Sequence, residues 1–157
     1  MSTERIGLDR LLETAVASLQ NVAASALSKE VSAVERRPAR LPRDMPGAYV
    51  PLLAKGDNLQ VGIASSLDGC CSIARSLLMM GPDEDLSASD VADAVGEFIN
   101  ILAGELKTRI AKDLSPITLG LPLFLNGAIE PTEALDFAIA DLRIGETAAS
   151  LLIVHQK

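Results

Sequence analysis

Residues 87–112 read SASDVADAVGEFINILAGELKTRIAK, and their periodicity constrains how the rest of the chain can be arranged. At ~100° per residue, Val91, Val95, Phe98, Leu102 and Leu106 fall on one side of a helix, the side that must face a core. Ser87 and Asp90 form an S-x-x-D capping pair, with Leu86 and Val91 beside them as a hydrophobic staple. The spacing predicts a helix from about Ala88 to Lys112, with Pro116 beyond its end. On the opposite side of the wheel, Asp93, Glu97 and Asn100 lie within an arc of ~60°. Gly104 and Lys107 extend that arc. A row of two carboxylates and a carboxamide is most often a solvated surface. Gly104 is out of place in such a row, because Gly inside a helix costs ~1 kcal/mol relative to Ala. It suits a position where another backbone or a partner approaches closely.

Working outward, Leu8, Leu11, Leu12, Ala15, Leu19 and Val22 repeat at helical spacing and predict an N-terminal helix over residues 7–26. Val31, Ala33 and Val34 suggest a short strand over 29–35. Residues 36–47 read RRPARLPRDMPG. Pro38, Pro42 and Pro46 lack backbone donors, so residues 36–48 are expected to form a loop. Arg36, Arg37, Arg40 and Arg43 make that loop a positive patch on an acidic chain. It reads either as a solvated loop or as a contact for an acidic partner surface.

Two strands are expected near Tyr49–Ala54 and Leu59–Ala64, joined by the turn sequence KGDN. Ser65 or Ser66 can cap a helix reaching Met80, with Gly81 just past its end and Pro82 blocking continuation. Three more strands are expected near Ile117–Leu125, Ala134–Leu142 and Thr147–Val154. Asn126, Gly127, Pro131 and Gly145 separate them. Helix, strands, two helices and strands again is the order of an α+β fold with an antiparallel sheet. No glycine-rich strand-to-helix loop is present, which argues against a dinucleotide-binding domain.

Composition narrows the function classes. The 157 residues are 48% hydrophobic and 22% charged, the balance of a folded domain rather than a disordered tail. With 3% aromatics and no Trp, the core must be built from Ala, Leu, Ile and Val. A net charge of −7 makes the chain a poor general ligand for nucleic acid. No run of ~18 apolar residues is present, so no membrane span is expected. The opening MSTERIGLDRLL has acidic residues and no apolar core, unlike a secretory signal. Cys70 and Cys71 are adjacent within an expected helix, where neighbours do not form an ordinary bridge. Both are read as reduced thiols of a cytoplasmic protein. His155 alone provides no zinc set.

The segment Asp93-Ala-Val-Gly-Glu97-Phe-Ile-Asn100 fits the D/S-x-x-x-E-x-x-N signature of the CheC/CheX family of chemotaxis phosphatases, and its flanks fit as well. DAVGEFINILAG resembles the family's core helix, SIARSLLMMG its preceding helix, and ITLGLPLFLNG the strand that follows. The resemblance runs from about Tyr49 to the C-terminus. It is closest to single-site, CheX-like members. In the first helix Asp9 and Glu13 have the motif's spacing, but Val16 stands where Asn is required. The Arg- and Pro-bearing loop has no counterpart in the family pattern.

The resemblance implies a single CheC-like domain with the motif-bearing helix exposed on one face. It also implies removal of the phosphoryl group from phospho-aspartate on a CheY-type response regulator in two-component signalling. It assigns Asn100 the orientation of the attacking water and Glu97 a salt bridge with the regulator's active-site Lys. Asp93 would support docking, and Gly104 would allow close approach. The chemistry suits these residues. Phosphoryl transfer depends on positioning and charge stabilisation. A carboxamide accepts from and donates to water without repelling an anionic phosphoryl group, as a carboxylate would. No cofactor of the chain's own is implied, because Mg²⁺ would sit on the regulator. A homodimer joined through its sheets is also implied, with the apolar terminal strand SLLIV as the edge to be covered. Two other readings stay open: a module that binds a response regulator without hydrolysis, and a structural assembly module like those of the flagellar switch.

Overall fold

The computed structural model describes residues 7–37, 45–112, 116–127, 129 and 132–156. Its elements run α1 (Leu8–Val22), a π-helical turn (Ala23–Leu27), β1 (Val31–Arg37), β2 (Gly47–Ala54), β3 (Asp57–Ser65), α2 (Leu67–Leu77), α3 (Ala88–Ile110), β4 (Ile117–Leu119), β5 (Leu123–Leu125), β6 (Leu135–Ile144) and β7 (Thr147–Gln156). The seven strands form one antiparallel sheet in the order β1-β6-β7-β3-β2-β4, with β5 also paired to β2. The expected α+β class with an antiparallel sheet is the one observed.

The three helices pack on one another and on one face of the sheet. Leu11, Leu12, Ala15 and Leu19 of α1 meet Val95, Phe98, Leu102 and Leu106 of α3 in a core that includes Val50, Val61, Ile63 and Leu151 of the sheet. Apart from Phe98, the largest fully buried side chains are Leu and Ile, in keeping with the dearth of aromatics. The opposite face carries a smaller cluster of Tyr49, Ala64, Ile139 and Leu152. There Gly62 lies beneath the Tyr49 ring, so close that a Cβ would come within 2.2 Å of it. At the β2–β3 turn, Gly56 takes φ +82°, a conformation that L side chains rarely adopt.

Several boundaries differ from the sequence reading. Arg36 and Arg37 belong to β1, and Gly47 and Ala48 to β2, so the loop expected over 36–48 is shorter at both ends. Arg40, Arg43, Pro38 and Pro42 lie outside the described residues. Helix α2 stops at Leu77 rather than Met80. Met79, not Gly81, takes the left-handed position at φ +57°. The Met80 amide donates to Arg75 O at 2.9 Å and the Met79 amide to Ser76 O at 3.3 Å, which closes the helix end as a Schellman motif.

The strand expected over 117–125 is two short strands. Both pair with β2, β4 opposite Leu52–Ala54 and β5 opposite Gly47–Tyr49. Pro51 sits between the two stretches without an amide to donate, and Pro122 likewise lacks one, so the ladder breaks there. Most consequentially, β7, which contains SLLIV, lies between β6 and β3. It is a central strand, and the expectation that it forms an exposed edge is corrected. A continuous apolar run fits a strand buried on both faces as well as it fits an edge awaiting a partner.

Among the described residues the edges are β1 and the β4/β5 pair. β1 is blunted by charge and by a register shift between Ser32 and Glu35, where Ala33 turns to φ +51°.

Candidate functional site

Helix α3 begins as its sequence dictates. The Ser87 side chain accepts from the Asp90 amide at 3.1 Å, Val91 is buried, and Leu86 packs against the core. The apolar stripe is fully inside, with Phe98 at 0% exposure. That packing fixes the rotation of the helix, and so it decides what the opposite side presents. Asp93 and Glu97 are exposed, while Asn100 and Gly104 are half-buried. The four candidate residues therefore share one accessible face over about three turns of a rigid, core-anchored helix.

Among the described residues, no hydrogen bond or ion pair engages the side chains of Asp93, Glu97 or Asn100. Their polar atoms point to solvent and remain available to a partner. Further along the helix the pattern changes. Glu105 accepts from Asn21 Nδ2 at 2.7 Å, a contact that ties α3 to α1, and from Arg109 of its own helix at 3.0 Å. Nothing lies within 4 Å of where a Cβ on Gly104 would sit, so the fold itself does not demand glycine there.

The matching positions on α1 are differently placed. Asp9 is held by the Arg36 guanidinium from β1, which lowers the Asp9 carboxyl below the usual range through a hydrogen bond and its charge. Glu13 adds to the negative field at Arg36. Val16 packs against the core. The α1 face therefore carries an internal cation where the α3 face is open. Arg37 also has an internal partner, Asp141 at 3.5 Å. Two of the four arginines read as a positive patch are thus turned to acidic groups of the same chain.

One neighbour of the α3 face was not legible from motif spacing. Gly96 is buried against Pro122 of the β4–β5 loop, and a Cβ on it would lie 3.7 Å from the Pro122 ring. The signal was present only as an unexplained glycine inside the motif. Elsewhere, Cys70 is buried with its thiol 3.7 Å from Pro46 O, and burial pushes that thiol up to about 11. Such a thiol is protonated and unreactive at neutral pH. The described residues contain no cluster of His, Cys, Asp or Glu able to hold a metal ion. None of their helices is long and apolar enough to cross a membrane.

Solved structures share this architecture. A chemotaxis protein CheX from Desulfovibrio desulfuricans superposes with a TM-score of 0.76 at 13% identity, covering 93% of this chain and 99% of the other. The CheX-CheY-BeF3-Mg²⁺ complex from Borrelia burgdorferi matches with a TM-score of 0.73 at 15% identity, over 98% and 100% of the two chains. FliY from Thermotoga maritima matches with a TM-score of 0.66 at 14% identity, over 96% and 89%. At these identities the likeness is one of fold. No curated protein sequence matches the chain. The family model for the chemotaxis phosphatase CheX matches residues 48–136, more than half of the sequence and the whole of α3. The chain belongs to the CheX family of chemotaxis phosphatases.

Proposed function

We propose that this protein hydrolyses phospho-aspartate on a CheY-type response regulator, with Asn100 orienting the attacking water and Glu97 pairing with the regulator's active-site Lys. The observation that carries the reading is the open α3 face. Glu97 and Asn100 sit one turn apart on a helix locked by its buried stripe, and neither is hydrogen-bonded or ion-paired by another described residue. A polar pair presented without internal partners suits insertion into another protein's active site. There, positioning a water against a phosphoryl group is the main task.

The carboxamide of Asn100 can accept from water and donate through its nitrogen. Its neutrality avoids repulsion of the phosphoryl oxygens. Asp93, one turn before Glu97, supports docking, and Gly104 leaves room for the partner's backbone. The divalent ion belongs to the regulator in this scheme, an assignment supported by the composition of the Borrelia complex. With Arg36 bound to Asp9 and Val16 in place of an amide, α1 carries no second site, and each chain acts through α3 alone.

The test is the lifetime of the phosphoryl group on candidate CheY-type regulators with and without the protein. A shortened lifetime that requires Asn100 supports the proposal. Unchanged lifetimes alongside tight binding would favour a non-catalytic binding module.

A further inference from the structure

Beside the polar face of α3 lies an apolar side chain for which the fold has no use. Leu121, in the loop between β4 and β5, is 86% exposed. The loop that carries it is clamped at both ends. The Gly120 amide donates to Pro51 O at 2.9 Å, and Gly120 lies so close to the Pro51 ring that a Cβ would come within 2.9 Å of it. On the other side of Leu121, Pro122 rests on Gly96, the residue before Glu97. Leu121 is therefore held in water by a loop attached to the turn of α3 that bears the site.

The other border of the site is apolar too. At ~100° per residue, Gly96 and Ile101 flank the Asp93–Glu97–Asn100 arc on opposite sides. Ile101 is 38% exposed. The polar arc is thus bordered on one side by exposed Ile101 and on the other by Gly96, on which rests the Pro122 of the loop that carries exposed Leu121.

We infer that Leu121 is a docking anchor for the response regulator, an uncharged contact at the border of the α3 face. This rests on the proposed function and adds an apolar contact to its polar site. The occupant is argued from continuity. Pro122 rests on Gly96, the residue before Glu97, so the loop that carries Leu121 is joined to the Glu97 turn and is within reach of a domain that receives Asn100. Burying an isolated leucine gives favourable binding that is the same for bound substrate and transition state. Its loss therefore appears in KM rather than kcat.

The experiment measures dephosphorylation of a CheY-type regulator, phosphorylated with acetyl phosphate, against regulator concentration. Binding of the same regulator loaded with beryllofluoride and Mg²⁺ is followed in parallel. Leu121→Asp is expected to raise KM and Kd about tenfold or more while kcat stays within about twofold, and Leu121→Met to restore both. An unchanged melting temperature for both variants confirms that the fold is intact. Equal KM and Kd for wild type and Leu121→Asp would overturn the inference, as would a loss confined to kcat. Wild type that binds the loaded regulator without hydrolysing the phosphorylated one would end the phosphatase reading. A tenfold weaker Leu121→Asp in that binding would still uphold the docking role. Absence of any binding by wild type would end both. Altered sedimentation of Leu121→Asp alone would assign this edge to a second copy of the chain and overturn the proposal.

Discussion

Asn100→Ala separates the catalytic reading from a structural one, because the two predict effects on different quantities. Asn100 is half-buried, and among the described residues its side chain makes no hydrogen bond, so the substitution breaks no internal hydrogen bond. Alanine is also the better helix former, by roughly half a kcal/mol. Stability should therefore stay level or rise slightly, seen as an unchanged or higher urea midpoint. Activity should move the other way. Removing a positioned polar group from a transition state costs on the order of 10²-fold, about 2.7 kcal/mol. The phosphoryl-group lifetime on the regulator in single-turnover conditions reads this directly.

Phe98→Ala is the internal contrast, two residues away but at 0% exposure. It should cost about 3–5 kcal/mol of folding free energy through the cavity it leaves. Turnover by Asn100→Ala within twofold of wild type would remove Asn100 from the mechanism. A loss of stability in Asn100→Ala would show that the side chain serves the fold.

Four further outcomes are expected. Glu97→Gln should lower kcat/KM more than it lowers stability, because the carboxylate has no partner among the described residues; unchanged kcat/KM at low salt would exclude an ion pair with the regulator. Gly104→Leu should leave the helix intact, since the space above it is open, yet block binding of the beryllofluoride-loaded regulator; equal affinity of both variants would refute close approach there. Burial raises the Cys70 thiol from 9.0 to about 11, so between those values the folded chain holds a proton that the unfolded chain has released, and stability falls as pH rises. Thermal melts across that interval should show a smaller decline for Cys70→Ala, and identical slopes would contradict the assignment. A homodimer is still expected, though without β7 as its edge, since β7 is a central strand; sedimentation of only 16.5 kDa species at tens of micromolar would reject it.

The sequence alone determined the helices and the candidate face on α3. Helical period is local: the spacing of Val91, Val95, Phe98, Leu102 and Leu106 specifies a buried side, and Asp93, Glu97 and Asn100 then lie opposite whatever the helix packs against. Capping is local as well, and Ser66 and Ser87 both cap as such residues should. What the tertiary structure decided is which elements became neighbours. The run SLLIV looks the same as an edge or as a central strand, and only pairing with both β6 and β3 made β7 central. The break between β4 and β5 needed Pro51 on a strand some 70 residues away, and the bond between Arg36 and Asp9 needed β1 to lie beside α1. Gly96 is an ordinary small residue until Pro122 rests on it and brings Leu121 to the border of the α3 face. These contacts join distant parts of the chain, and their free energy is realised only when the sheet has assembled and brought those parts together.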